Sequence, residues 1–260
     1  MNQMQQLKFV TPSLDGNVLT LTLGNAPAHP LSLGMIEALQ QTFDTAAADP
    51  DVHVIILHGP GRIFCAGHDL KEIARHRADA NNGLAYLRQL FTACADLMQT
   101  ITASPKPTVA VVEGIATAAG LQLVAACDLA YATPQARFQL PGVTNNGFCT
   151  TPAVTVGRSI ARKHVMELAL SGEPFNADWA LAAGLINRIL PEAQLTPFVQ
   201  DFARKLAGRH QPAVSLGKQT LHRQLDMTTA DAHAHATEVM IAHFLDPARM
   251  AKEKARWGRD

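Results

Sequence analysis

Two short apolar runs, each followed by a turn of small residues, constrain this chain more than anything else in its sequence. Val52 to Leu57 is nearly continuous and β-branched, and Gly59-Pro60-Gly61 breaks it. Thr108 to Val112 is the second run, opened by Lys106-Pro107 and punctuated by Gly114. A strand without polar alternation is covered on both faces, as in a parallel sheet flanked by helices. Behind the first run lies Phe64-Cys65-Ala66-Gly67-His68-Asp69-Leu70-Lys71-Glu72, a tight turn leading into a helix. Behind the second lies Ala116-Thr117-Ala118-Ala119-Gly120, leading into a helix that reaches about Ala126.

The rest of the chain fits around these strands. Val18 to Leu23 alternates leucine with threonine after the Asp15-Gly16 turn, a strand with one buried face. Ser32 is placed to cap a helix from about Leu33 to Ala48, with Met35, Ile36, Leu39 and Phe43 in one stripe. A further helix spans about Leu84 to Thr102, and Leu129 to Ala132 reads as a short strand. Gly142 to Pro152 reads as a loop. From about Ser159 the pattern is mostly helical: Asn176 caps a short helix ending at Gly184, a β-branched piece follows near Ile186, and two helices cover Pro212–Leu225 and Thr229–Phe244 before a basic tail. Strand–helix alternation first and helices last predict an α/β core, about 1–200, with a helical C-terminal region, about 201–260, in one continuous domain.

Composition bounds the partners. The chain has 260 residues, with 22 Lys plus Arg against 22 Asp plus Glu. It is long enough for a core without staples. Net neutrality argues against bulk attraction to nucleic acid or an anionic membrane. No run of about 18 apolar residues predicts a membrane span. Met1 to Leu7 is polar and has no leader pattern, so a cytoplasmic location is expected. The cysteines, Cys65, Cys94, Cys127 and Cys149, have no CxxC spacing and read as small buried hydrophobes rather than a metal site or disulfide framework. His233 and His235 diverge around a helix, and His243 shares a face with His235 only loosely, so no metal site is expected there.

The two turn blocks, with Cys127-Asp128-Leu129 after the second, resemble the two signatures of the crotonase (enoyl-CoA hydratase/isomerase) superfamily. The likeness runs from about Val18 to the C-terminal helices. It implies an α/β spiral of ββα units with a C-terminal helical trimerisation region, assembled as trimers or hexamers. It also implies an acyl-CoA thioester as ligand and no separate cofactor, coenzyme A being part of the substrate. A thioester carbonyl gains negative charge when it passes through an enolate, and two backbone N–H groups aimed at that oxygen stabilise it. By position in the motif those donors are the N–H groups of His68 and Ala119, with Ala66, His68, Asp69, Leu70, Lys71, Ala119 and Gly120 around the substrate.

The departures matter as much as the match. Typical members add water with two glutamates, and the positions that match them here are Gln122 and Gly142. Losing one general acid or base costs about 10²–10⁴-fold, so efficient hydration by the usual route is not expected. His68 titrates near neutrality by type, and its imidazole either takes part in catalysis or only packs. Asp69 reads as a cap for the following helix, Glu113 as half of a structural ion pair, and Cys149 as inert beside Phe148. Asn145, Asn146, Thr150 and Thr151 fall on the loop that lines the acyl pocket in that superfamily. Arg62, Lys71, Arg75 and Arg77 are either partners for coenzyme A phosphates or a solvated charged face. Two functions remain in competition: a hydratase/isomerase-like lyase or isomerase of fatty-acid metabolism, and a non-catalytic acyl-CoA-binding or regulatory protein.

Overall fold

The computed structural model describes residues 8–258, so the polar N-terminal stretch read for a leader lies outside the described residues. The chain divides into two compact units, Met1–Ala207 and Gly208–Asp260. The helix Glu192–Ala207 passes through position 200 without interruption.

The first unit holds two sheets. The larger contains β1 (Val10–Asp15), β2 (Val18–Leu23), β3 (Val54–Gly59), β5 (Thr108–Val112), β7 (Leu129–Ala132) and β10 (Arg188–Ile189), in the order β1-β2-β3-β5-β7-β10. The smaller contains β4 (Ile63–Cys65), β6 (Ile115–Thr117), β8 (Arg137–Gln139) and β9 (Phe175–Asn176), in the order β4-β6-β8-β9. The β1–β2 hairpin and the β8–β9 pair are antiparallel, and every other pairing is parallel. The chain therefore repeats one move. A strand enters the large sheet, the next enters the small sheet, and a helix returns: β3, β4, then α2 (Leu70–Arg75) and α3 (Ala80–Ala103); β5, β6, then α4 (Ala119–Ala126); β7, β8, then α5 (Thr150–Ser159). This is the predicted α/β spiral of ββα units.

The buried runs are covered on both faces, as their lack of alternation requires. Val54 and Ile56 of β3, with Val109 and Val111 of β5, pack against Leu195, Val199 and Ala203 of the helix Glu192–Ala207. Ile55, Leu57, Ala110 and Val112 point the other way, into the core with Met35, Leu39 and Phe43 of α1 (Leu33–Ala48). Ser32 caps α1, its Oγ accepting from the Met35 N–H at 3.1 Å. The strand β1 was not legible in the sequence: Pro12 interrupts it, and all of it beyond Val10 is exposed at a sheet edge, so no hydrophobic pattern marks it.

The second unit consists of the helices Gln211–Gln224, Thr229–Phe244 and Pro247–Trp257. The expected basic tail is the third of these, capped by Asp246 and started by Pro247. Among the described residues from Gly208 onward none is buried, although Leu221, Leu225, Met240, Phe244 and Leu245 are large and apolar.

Candidate functional site

The first small-residue turn is held from outside by the loop before α1. Ala66 N–H donates to Ala28 O at 2.9 Å, Leu31 N–H to Gly67 O at 2.8 Å, and Asp69 N–H to Leu31 O at 3.2 Å. His29 anchors that loop. It is buried, with Nδ1 2.8 Å from Gly24 O and Nε2 3.2 Å from Pro60 O, and its own carbonyl accepts from Cys65 Sγ at 3.1 Å. Leu31 makes both backbone bonds of its parallel bridge to His68, so the His68 N–H faces away from Leu31. It meets no acceptor among the described residues.

The second turn ends in a helix start. Ala118 N–H donates to Gln139 O at 2.9 Å, and Ala118 O accepts from Gln122 N–H at 3.1 Å. Ala119 is then the first residue of α4, and its N–H is one of the donors a helix leaves unpaired at its N-terminus. No side chain caps this end. Ala118 takes φ 51° and ψ −122°, a conformation natural to glycine.

The two turns touch. A Cβ built on Gly67, which sits at φ +82°, would lie 2.9 Å from Ala118 Cβ and 3.2 Å from Ala119 N. Parallel pairing of Cys65 with Ala116 brings the two strand ends into register. Gly120 lets α4 close on β4, since a Cβ there would lie 2.1 Å from Cys65 O. Two unpaired N–H groups on adjoining turns, one at a helix N-terminus, are donors suited to an oxygen that carries negative charge.

The other residues singled out in the sequence take more varied places. Asp69 caps α2, its carboxylate accepting from the N–H groups of Lys71 at 2.9 Å and Glu72 at 3.2 Å. Glu72 reaches back to accept from the Leu33 N–H at 3.0 Å, which ties α2 to the start of α1. Leu70, Lys71, Arg62, Arg75 and Arg77 are exposed, and Arg77 donates to Asn82 O at 3.1 Å. Glu113 is structural: its carboxylate lies 3.0 Å from His58 Nε2 and accepts from the Gly61 N–H at 2.7 Å. Burial pushes the thiols of Cys65 and Cys94 up to about 12, and that of Cys149 upward as well, so none is a ready nucleophile. Among the described residues no three His, Cys, Asp or Glu side chains are placed to share a metal, and no helix is long and apolar enough to cross a membrane.

His68, Gln122 and Gly142 differ in kind. The His68 ring meets Phe91 edge-on at 5.1 Å, its Nε2 is buried without a partner, and burial holds it down to about 4. Near neutral pH it is an uncharged imidazole. Gln122 is buried on α4, with Nε2 donating to Thr155 Oγ1 at 3.2 Å and Oε1 unpartnered. Gly142 is enclosed by its own loop. Gly147 N–H donates to Gly142 O at 3.0 Å, and a Cβ at 142 would lie 2.4 Å from Cys149 N and 2.5 Å from Phe148 C. No side chain of any kind fits there with the loop in this place. The sequence reading missed Thr155 and His29. Thr155 was hidden because α5 begins at Thr150, inside what reads as loop. Nothing in the spacing links His29 to Pro60; the loop does so in space.

Comparison with known proteins bears on the whole chain. A family model described as enoyl-CoA hydratase/isomerase matches residues 14–256. The protein named enoyl-CoA hydratase domain-containing protein 3, mitochondrial, from Xenopus laevis is 41% identical over 214 residues, covering 82% of this chain and 71% of its own length. A crystal structure of an enoyl-CoA hydratase/isomerase family protein from Silicibacter pomeroyi superimposes with a TM-score of 0.88 at 58% identity, covering 92% of this chain and 100% of that one. The crystal structure of human enoyl-CoA hydratase domain-containing protein 3 gives a TM-score of 0.89 at 34% identity, with 96% and 98% covered. The cytoplasmic expectation is corrected here, because relatives of that name from five species are all designated mitochondrial. Net charge describes behaviour in water and does not specify a compartment.

Proposed function

The chain belongs to the enoyl-CoA hydratase/isomerase (crotonase) family, and within it we propose a protein that binds an acyl-CoA thioester, with the His68 and Ala119 N–H groups forming an oxyanion hole for the thioester carbonyl. The observation that carries this reading is the contact between the two turns, Gly67 against Ala118 and Ala119. The contact supports the reading because the turns that meet carry the two otherwise unpaired donors, and such donors stabilise developing negative charge most strongly where water is excluded. Exposed Arg62 and Lys71 beside the first turn suit the coenzyme A phosphates.

The chemistry in this reading runs without the two usual carboxylates. Gln122 hydrogen-bonds but does not exchange a proton near neutrality, and Gly142 has neither side chain nor room for one. Positioning and the oxyanion hole remain, so enolate-stabilising chemistry of the lyase or isomerase type is supported and rapid hydration is not. The closed surroundings of Gly142 favour a second reading, a binding or regulatory protein of acyl-CoA metabolism that does not turn over substrate. The C-terminal helices, with their exposed apolar residues, are read as the trimerisation region.

Incubation with crotonyl-CoA, followed at the absorbance of the conjugated enoyl thioester, tests the missing carboxylates. The expected rate is at least about 10²-fold below that of a two-glutamate family member. A comparable rate would refute their importance. Calorimetric titration with a non-reactive acyl-CoA tests both readings at once, because absence of binding at millimolar concentration contradicts each.

A further inference from the structure

The helix α2 follows the first turn directly, and packing does little to hold it. None of its residues is buried, and of its apolar side chains Ile73 alone packs, half-buried, against the core. The half-buried Glu72 supplies the other tie, its Oε2 accepting from the Leu33 N–H at 3.0 Å. Leu33 is the first residue of α1, and that N–H is one a helix cannot satisfy internally. A carboxylate there also meets the positive end of the helix dipole. The buried Tyr86 of α3 lies beside the same carboxylate; burial, and then that charge, push its hydroxyl up. Together these contacts close a ring around the first proposed donor. Asp69 N–H donates to Leu31 O at 3.2 Å, the chain runs on to Glu72, and Glu72 returns to Leu33, two residues beyond Leu31. Within the ring, Leu31 N–H donates to Gly67 O at 2.8 Å. The Gly67–His68 peptide is planar and trans, so holding the Gly67 carbonyl also aims the His68 N–H, which points the opposite way.

We propose that Glu72 is a positioning residue for the oxyanion hole: by tying α2 to the Leu33 N–H it keeps Leu31 against Gly67 and so aims the His68 N–H at the thioester carbonyl. The proposal rests on the acyl-CoA reading above and adds to it a residue that bonds to neither donor. Without the Glu72 carboxylate, α1 keeps its Ser32 cap and the core is untouched, so the fold stands. What is lost is one side of the ring, and with it the restraint on one peptide plane. A hydrogen bond weakens steeply once its donor is misaligned, so the loss falls on contacts to the ligand carbonyl rather than on the rest of the ligand.

The test is isothermal titration of the full chain with butyryl-CoA and with S-butyl-CoA, a thioether of the same chain length that lacks the carbonyl. The unaltered protein is expected to prefer the thioester about tenfold. Glu72→Ala is expected to cut that preference below about threefold while changing affinity for the thioether by less than about twofold. Glu72→Gln, which keeps an acceptor for the Leu33 N–H, is expected to retain it. Leu33→Pro removes the same N–H at a first helical position, where proline is tolerated, and is expected to match Glu72→Ala. Infrared difference spectra of butyryl-CoA isotopically labelled at its carbonyl carbon give a second readout. The downshift of the bound carbonyl stretch is expected to shrink in Glu72→Ala and Leu33→Pro. A preference and a downshift that persist in both variants would overturn the role of Glu72 and leave the oxyanion hole standing. Equal weakening of both ligands, with their ratio unchanged, would do the same. No preference for the thioester in the unaltered protein would overturn the oxyanion-hole reading, and failure of both ligands to bind would overturn the acyl-CoA reading; the proposal falls with either.

Discussion

Ala118 and His68 show what single residues contribute at this site. Ala118 sits at positive φ with a Cβ, in a turn whose geometry suits glycine. Such backbone strain costs about 1–3 kcal/mol, and a glycine's extra freedom in the unfolded chain returns about 0.5–1 kcal/mol of that. Ala118→Gly is therefore expected to stabilise the protein by about 1 kcal/mol, read as a higher denaturant midpoint at unchanged slope. His68 is held neutral by burial, down to about 4, whereas in the unfolded chain it titrates near 6.5. The unfolded state binds the extra proton in that window, so stability rises with pH there and is lost as pH falls from about 6.5 to 4. Replacing His68 with Phe is expected to flatten this part of the stability–pH curve, by an amount on the order of 2 kcal/mol across it. An unchanged curve would mean the imidazole titrates freely in the native state.

At the scale of elements, the site depends on how helices begin. Asp69 caps α2 through the Lys71 and Glu72 N–H groups, and Glu72 in turn accepts from the first N–H of α1. Asp69→Ala is expected to cost about 1 kcal/mol, with Asp69→Asn recovering most of it, as measured by thermal unfolding. A much larger loss of affinity than of stability in Asp69→Ala would show instead that the carboxylate touches ligand. The cap at Ser32, the start at Asn176 and the doubly covered β3 and β5 were all legible in the sequence, because each is encoded within a few neighbouring residues. The small sheet was not. Its strands are three residues or fewer, too short for any periodicity to register.

At the scale of the whole molecule, the helices after Gly208 carry apolar residues with nothing buried among the described ones. Leu221 lies one turn before Leu225, the C-cap of its helix, and Met240 one turn before Phe244 on the next. The proposed trimer would cover such faces, as exposed apolar patches on soluble chains commonly are. Sedimentation equilibrium at micromolar concentration is expected to give the mass of three or six chains, and a Leu221→Asp, Leu225→Asp double variant to shift it downward. A single-chain mass for the unaltered protein would exclude a trimer held together by these helices.

The sequence by itself determined the fold class, the two turns and their order, and the residue types around them, because strand burial, turn chemistry and motif spacing are local properties. Only the tertiary structure decided what those residues can do. Gln122 became a buried carboxamide held by Thr155, thirty-three positions away. Gly142 became a position closed to any side chain because Phe148 and Cys149 fold back onto it. His68 became a neutral group because the helix carrying Phe91 removes it from water. Each outcome turns on which groups lie within a few ångströms, and distances between segments far apart in the chain are set only when the chain packs.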